Sequence, residues 1–324
     1  MRTLTLIRHV LSLALLASAP ALALAQAFPQ KGLTLIAPFA PGASADGIAR
    51  ILARELTQSL GQPVVVENRP GAGGATGLIA VAKASPDGYT LGMGATGALT
   101  IGPHLPDAPP LNPQTQLQPL AKVADIPLVL VAGPASGLGS LQTLLSRART
   151  ADVPLANSGQ YTAHHLSGEL LAALTRTRLL AVPYRGSAPA VTDVLGGQVQ
   201  AAIVDLTAAM PHIKAGTVKA LAVTSARRTR LANDIPTMAE AGVPDYDAPA
   251  WMGLFLPRGV PPAVIDRLSR EVQAILAKPE VQNQILALAA EPSALPPEGF
   301  AAFIDQESAR WAKVIASLPK PTKP

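Results

Sequence analysis

The chain has 324 residues, 48% of them hydrophobic and 3% aromatic, with no cysteine and a formal charge of +5. The missing cysteines exclude disulfides, thiolate metal sites and a cysteine nucleophile. Few aromatics and dispersed charge, with Arg227-Arg228-Thr229-Arg230 as the only dense basic cluster, exclude the stacking platform and charged stripe that nucleic-acid binding needs.

Arg2 and Arg8 precede an apolar run over residues 10–17, and small residues follow at 21–25. This pattern predicts a secretory signal peptide over residues 1–25, cut after Ala25 with Ala27 as the neighbouring alternative. The run is too short to span a hydrocarbon layer of ~30 Å. Removing both arginines leaves 24 basic against 21 acidic residues, an excess of three. About 300 residues then remain, a length that suggests two domains and can bury a core without disulfides. The expected product is an exported, periplasmic globular protein, monomeric and without a cofactor. Its expected organisation is a first domain over 26–124, a second over 125–221, and a return to the first with C-terminal helices over 222–324.

The first mature element is an apolar strand, Leu33-Thr34-Leu35-Ile36-Ala37, that runs into Pro38-Phe39-Ala40-Pro41-Gly42-Ala43-Ser44-Ala45-Asp46. Small side chains let a ligand approach the backbone, and the first N–H groups of the following helix lack internal partners and carry the positive end of its dipole. Ile48, Ile51, Leu52, Leu56 and Leu60 share one helical face before Gly61 ends the helix. Asp46 lies in the first turn, four residues before Arg50, so it suits either a helix-dipole pair or a direct pocket role. Val64-Val65-Val66-Glu67 and Tyr89-Thr90-Leu91-Gly92-Met93 end in similar small-residue loops, the second containing Ala95 and Thr96. Three such loops at the carboxyl ends of one sheet would frame a polar crevice.

The proline-rich stretch 99–118 reads as an irregular connection, followed by a strand over 126–132 and a helix over 140–149. A second strand-to-loop unit, Val153-Pro154-Leu155-Ala156-Asn157 into Ser158-Gly159-Gln160-Tyr161-Thr162, leads to a helix over 163–175. Strands at 179–184 and 201–205 enclose a helix over 188–195, and a strand at 218–224 is placed to carry the chain back to the first domain. From Pro261 onward, Val264, Leu268, Val272, Ile275 and Leu276 keep a helical rhythm. The pattern is α/β, two doubly wound domains with a cleft between them.

Catalytic patterns fail. Gly71, Gly73 and Gly77 miss a dinucleotide fingerprint by one position, because Thr76 stands where the third glycine belongs. Gly42-Ala43-Ser44-Ala45 begins like a nucleophile elbow but has Asp46 in place of the second glycine. His164 and His165 are adjacent on a helix and diverge by about 100°, too far apart to share a metal readily. Asp193 and Asp205 have no paired acid or base in sequence. Ligand binding without chemistry is the expectation.

Several runs together carry a resemblance: Ile36 through Gly42, Gly61 through Gly74, Ser85-Pro86-Asp87-Gly88-Tyr89-Thr90-Leu91, Val182-Pro183-Tyr184-Arg185-Gly186, Asp193 through Val199, Pro236 through Gly242, and Trp251-Met252-Gly253-Leu254-Phe255. The chain resembles the Bug family, the periplasmic substrate-binding receptors of tripartite tricarboxylate transporters. The resemblance implies a Venus flytrap, two α/β domains closing over a small carboxylated molecule, with no catalytic function. It implies first-domain contacts from Phe39, Ala40, Gly42, Ala43, Ser44 and Asp46, with Ala95 and Thr96, through backbone groups and ordered water. Second-domain contacts fall on Ser158, Gln160, Thr162 and His164, on Tyr184, Arg185 and Gly186, and on Asp205. Ala43 replaces a frequent second glycine, Tyr161 and His164 replace small polar residues, and Arg185, in place of a frequent lysine, is expected either to face solvent or to reach a distal carboxylate. His165 matches the family's recurrent, structural histidine. Asp205 is expected to accept from a ligand donor, to fix loop N–H groups and waters, or only to cap the next helix. The implied partner is a membrane permease, or alternatively a membrane sensor to which the ligand is presented without transport.

Overall fold

A computed structural model describes residues 28–317; the expected signal peptide and its cleavage site lie outside them. Residues 31–317 form one compact unit, built of two α/β lobes. The first lobe holds a six-stranded sheet in the order β11-β4-β10-β3-β1-β2. Its strands are β1 (Leu33–Ala37), β2 (Val64–Asn68), β3 (Thr90–Ala95), β4 (Leu117–Ile126), β10 (Ala250–Pro257) and β11 (Glu291–Leu295). The second lobe holds a five-stranded sheet in the order β7-β6-β8-β5-β9, from β5 (Leu128–Ala132), β6 (Val153–Asn157), β7 (Leu179–Pro183), β8 (Ala201–Asp205) and β9 (Lys219–Val223).

The two sheets repeat one plan. In each, a first strand pairs in parallel with the second and third, β1 with β2 and β3 and β6 with β7 and β8. The third strand then pairs antiparallel with one that arrives from elsewhere in the chain, β10 on β3 and β5 on β8. The parallel strands send their carboxyl ends to one edge of each sheet, where helices α1 (Ser44–Leu60), α5 (Ala163–Thr175), α6 (Ser187–Leu195) and α7 (Leu206–Lys214) begin.

Local sequence explains these helices well. Helix α1 buries Ile48, Leu52, Leu56 and Leu60 and stops at Gly61, whose φ of 68° is left-handed, a conformation glycine adopts without a Cβ penalty. Helix α4 (Leu141–Thr150) is capped by Ser140, which accepts from Thr143 N–H. The expected strand over 126–132 is divided: Ile126 ends β4, Pro127 follows, and β5 begins at Leu128. Here the chain passes from one sheet to the other. The strand at 218–224 does not lead directly back. As β9 it pairs antiparallel with β5 in the second sheet, and the chain returns to the first sheet only with β10.

Two cores hold the lobes. In the second, Val129, Val131, Val191, Val194, Val204 and Leu206 are buried together. In the first, the ring of Trp251 meets Phe300 edge-on at 5.4 Å, and Phe255 lies 5.2 Å from Phe300. This packing needs Gly253, where a Cβ would fall 2.2 Å from Phe300. The last helix, α10 (Pro297–Ser317), supplies Phe300 and completes this core. No helix among the described residues is long and apolar enough to cross a membrane.

Candidate functional site

A cavity of about 570 Å³ lies between the lobes, walled by the loops at the carboxyl ends of the strands. On the first-lobe side the chain leaves β1 and turns at Gly42, whose φ is +84°. Ala43 precedes α1 with ordinary extended dihedrals, φ −70° and ψ 159°, so the family's second glycine is not needed here. Ala43 offers no side-chain cap. The first intrahelical bond runs from Gly47 N–H to Ala43 O, so the N–H groups of Ser44, Ala45 and Asp46 have none within the helix. Ser44 and Ala45 line the cavity, an arrangement suited to an anion.

Asp46 does not line the cavity. Its carboxylate accepts from Gly42 N–H at 3.0 Å, Asn68 Nδ2 at 2.9 Å and Arg50 Nε at 3.0 Å, while Asn68 also donates to Phe39 O at 3.0 Å. Burial works against the charged form, but these donors hold the Asp46 carboxyl below its usual range. Asp46 therefore shapes the loop from behind rather than touching its concave side. Thr96 lines the cavity beside Ala95, and its Oγ1 exchanges hydrogen bonds with the backbone of Trp251 at 2.9 and 3.3 Å, tying β3 to β10.

On the second-lobe side, Asn157 Oδ1 accepts from Gly159 N–H, and Thr162 caps α5 by accepting from His165 N–H while donating to Gly159 O at 2.6 Å. Ser158 and Thr162 line the cavity, whereas Gln160 between them does not. Tyr184 is also absent from the wall; its hydroxyl turns to Asp193 Oδ2 at 2.7 Å, and burial with this carboxylate pushes its pKa up to about 12. The neighbours Arg185 and Gly186 do line it. His165 sits behind the loop: its Nδ1 accepts from Tyr161 N–H at 3.3 Å, and burial lowers its pKa.

Asp205 ends β8 and stands at the N-cap position of α7, yet its side chain makes no capping bond. Oδ1 lies 2.8 Å from His164 Nε2, and Oδ2 accepts from Ser44 Oγ at 3.1 Å. The first contact is within the second lobe; the second crosses the cleft. Burial raises the cost of this carboxylate's charge, but the imidazole of His164 and the hydroxyl donors hold it below the usual range. The serine binds the carboxylate rather than a histidine, so the set lacks the nucleophile-to-base bond of a hydrolytic triad. No metal-binding cluster of histidine and acidic residues occurs among the described residues.

Further contacts span the cleft. Tyr161, with a left-handed φ of 64°, donates from its hydroxyl to Asp107 O at 3.1 Å. Its carbonyl faces Gly73 and Gly97 so closely that a Cβ on Gly97 would lie 2.3 Å from it. Local reasoning passed over Ser187 and Thr207, which line the cavity from the first turns of α6 and α7. The strand-to-helix rule applied to Ser44 would have found both. Trp251 and Met252 carry no such signal, because β10 reaches the wall from a distant part of the chain.

A family profile described as the tripartite tricarboxylate transporter family receptor matches residues 48–319. Protein BugT of Bordetella pertussis is 40% identical over 294 residues, covering 90% of each chain. The solved periplasmic binding protein BugD is 36% identical with a TM-score of 0.82, covering 89% of this chain and 98% of its own. Rpa4515 of R. palustris, solved with adipate, is 33% identical with a TM-score of 0.84, covering 90% of this chain and 98% of its own. Its fold, its interlobe cavity and these similarities agree: the chain belongs to the tripartite tricarboxylate transporter receptor family, whose members are solute-binding proteins rather than enzymes.

Proposed function

We propose that the protein, exported to the periplasm and freed of residues 1–25, captures a small organic acid between its lobes and delivers it to a permease of the tripartite tricarboxylate type. The observation that carries the reading is the start of α1 at the cavity wall, where Ser44 and Ala45 present N–H groups with no partner inside the helix. A carboxylate there meets backbone donors and the positive end of the helix dipole. Gly42, Ala43, Ala95 and Thr96 complete the first-lobe side, and Ser158, Thr162, His164, Arg185 and Gly186 face them from the second. Adipate in the related Rpa4515 structure supports a carboxylate as the ligand.

A thermal-shift screen of mono-, di- and tricarboxylates tests the reading. A ligand at 100 times its Kd adds about 2.7 kcal/mol, several degrees for a chain of this size. No shift with any carboxylate would refute it. Delivery is tested by uptake of the ligand found: loss on deletion of the gene supports transport, whereas unchanged uptake with a lost transcriptional response would assign ligand presentation to a sensor.

A further inference from the structure

Tyr161 is the one aromatic residue held at a left-handed φ, 64°, among the described residues. A bulky side chain keeps such a backbone only where its surroundings fix it, and here those surroundings lie in both lobes. Within its own lobe, Tyr161 N–H donates at 3.3 Å to Nδ1 of His165, in the first turn of α5. Across the cleft, its hydroxyl donates to Asp107 O at 3.1 Å, and its carbonyl packs so closely that a Cβ on Gly73 would lie 2.8 Å from it. Tyr161 thus bridges the lobes from a strained position, and a histidine holds its amide.

That acceptor is titratable. The neutral imidazole presents a lone pair at Nδ1 when Nε2 carries the proton, but in the protonated ring both nitrogens are donors. An N–H would then face the Tyr161 N–H, and the amide would lose its acceptor. Burial lowers the pKa of His165, so the ring is neutral and the amide held at pH 7. No ion pair from another element reaches this ring among the described residues: Glu169, also on α5, lies 3.7 Å from Nε2. Asp205 of β8 binds His164, Asp193 of α6 binds Tyr184, Asp107 meets the loop through its carbonyl, and Tyr246 meets α5 at Ser167 O. Resting on the binding function proposed above, we propose that Tyr161 and His165 form a proton-operated latch: uptake of one proton at Nδ1 frees Tyr161 from its left-handed conformation, breaks its bridge to the first lobe and speeds release of the ligand. The coupling is reciprocal, so a bound ligand makes His165 harder to protonate.

Two measurements test the latch. The first is the stopped-flow dissociation rate of the carboxylate that the thermal-shift screen selects, from pH 7.5 to pH 4.5. His165→Asn places a non-titrating oxygen acceptor where Nδ1 stands, so it keeps the amide bond and removes the switch. Acid should accelerate release about fivefold more in the wild type than in this variant, as the loss of one hydrogen bond allows. Tyr161→Phe leaves the histidine untouched and removes the hydroxyl bridge; its release should already be faster at pH 7.5 and gain less from acid. The second measurement is a nitrogen-15 NMR titration of the unliganded protein, in which the Tyr161 amide should shift with the His165 ring and at the same midpoint. Equal acid acceleration in the wild type and both variants, or a Tyr161 amide that does not follow His165, would overturn the proposal while leaving the carboxylate reading in place. Failure of every carboxylate to bind would remove that reading, and the latch would then stand or fall on the NMR titration.

Discussion

The bond between Ser44 and Asp205 should act as a catch that holds the lobes together, and a double-mutant cycle measures it. Ser44 starts α1 in the first lobe, and Asp205 ends β8 in the second, so the 3.1 Å contact exists only while the cleft is closed. The 2.8 Å contact with His164 lies within the second lobe and persists in either state. A hydrogen bond to a charged group contributes about 1.5–3 kcal/mol. Ser44 has a second partner at 3.5 Å in Thr207, which places its replacement at the lower end. Ser44→Ala should therefore weaken ligand binding about tenfold, mainly through faster dissociation, and leave the melting temperature of the unliganded protein nearly unchanged. Asp205→Ala should weaken binding at least as much and also lower the melting temperature, because His164 Nε2 loses its acceptor. Asp205→Asn keeps one oxygen acceptor and should fall between. In the cycle the two alanine effects should couple by about 1 kcal/mol, read from stopped-flow dissociation rates of the carboxylate that the thermal-shift screen selects. Losses that add within about 0.3–0.5 kcal/mol, the usual range for independent sites, would refute the catch.

Gly97→Ala should weaken binding by at least about tenfold with the unliganded fold intact, since its Cβ would sit 2.3 Å from the Tyr161 carbonyl across the cleft and backbone there cannot yield cheaply; unchanged affinity in titration would show that the lobes close differently. Gly42→Val should reduce affinity through the backbone rather than by collision, because φ is +84° and no heavy atom lies within 4 Å of its Cβ position. The strain is about 1–2 kcal/mol, and a variant with wild-type affinity would remove this turn from the site. Asp46 and Asp205 have folded pKa values below their ordinary 3.8. Their contribution to stability is thus present above about pH 4 and lost as pH falls through the lower folded values. Melting temperatures from pH 6 down to pH 2.5 should fall less steeply for Asp46→Asn than for the wild type below pH 4, and parallel curves would contradict the assigned donors.

The elements that depend on neighbours in sequence were legible without the structure. The strand-to-helix units at β1–α1, β6–α5 and β8–α7 announce themselves because an apolar run, a small-residue loop and a helical stripe follow one another within some thirty residues. The cavity-facing loops around Ser44, Thr96, Thr162 and Asp205 were found for the same reason. Strand β4 was not. Pro119, Lys122 and Asp125 interrupt its pattern, and Lys122 is tolerated inside only because its ammonium pairs with Asp125 at 2.7 Å and lies over the ring of Phe303, 4.3 Å away. That ring comes from α10, so nothing near Lys122 in the chain foretells it. The same holds for Asp46 and Asp205. Both are acidic residues at a strand-to-helix junction, and local chemistry gives them similar prospects. Folding turns Asp46 backward onto Asn68 and Arg50, and brings Asp205 against a hydroxyl 161 positions earlier in the chain. Sequence by itself determined which segments could offer backbone donors, because helix starts and glycine turns are short-range properties. The pairing of side chains across the cleft, and with it which polar groups remain for a ligand, was decided only by the packing of two lobes whose contacts are long-range.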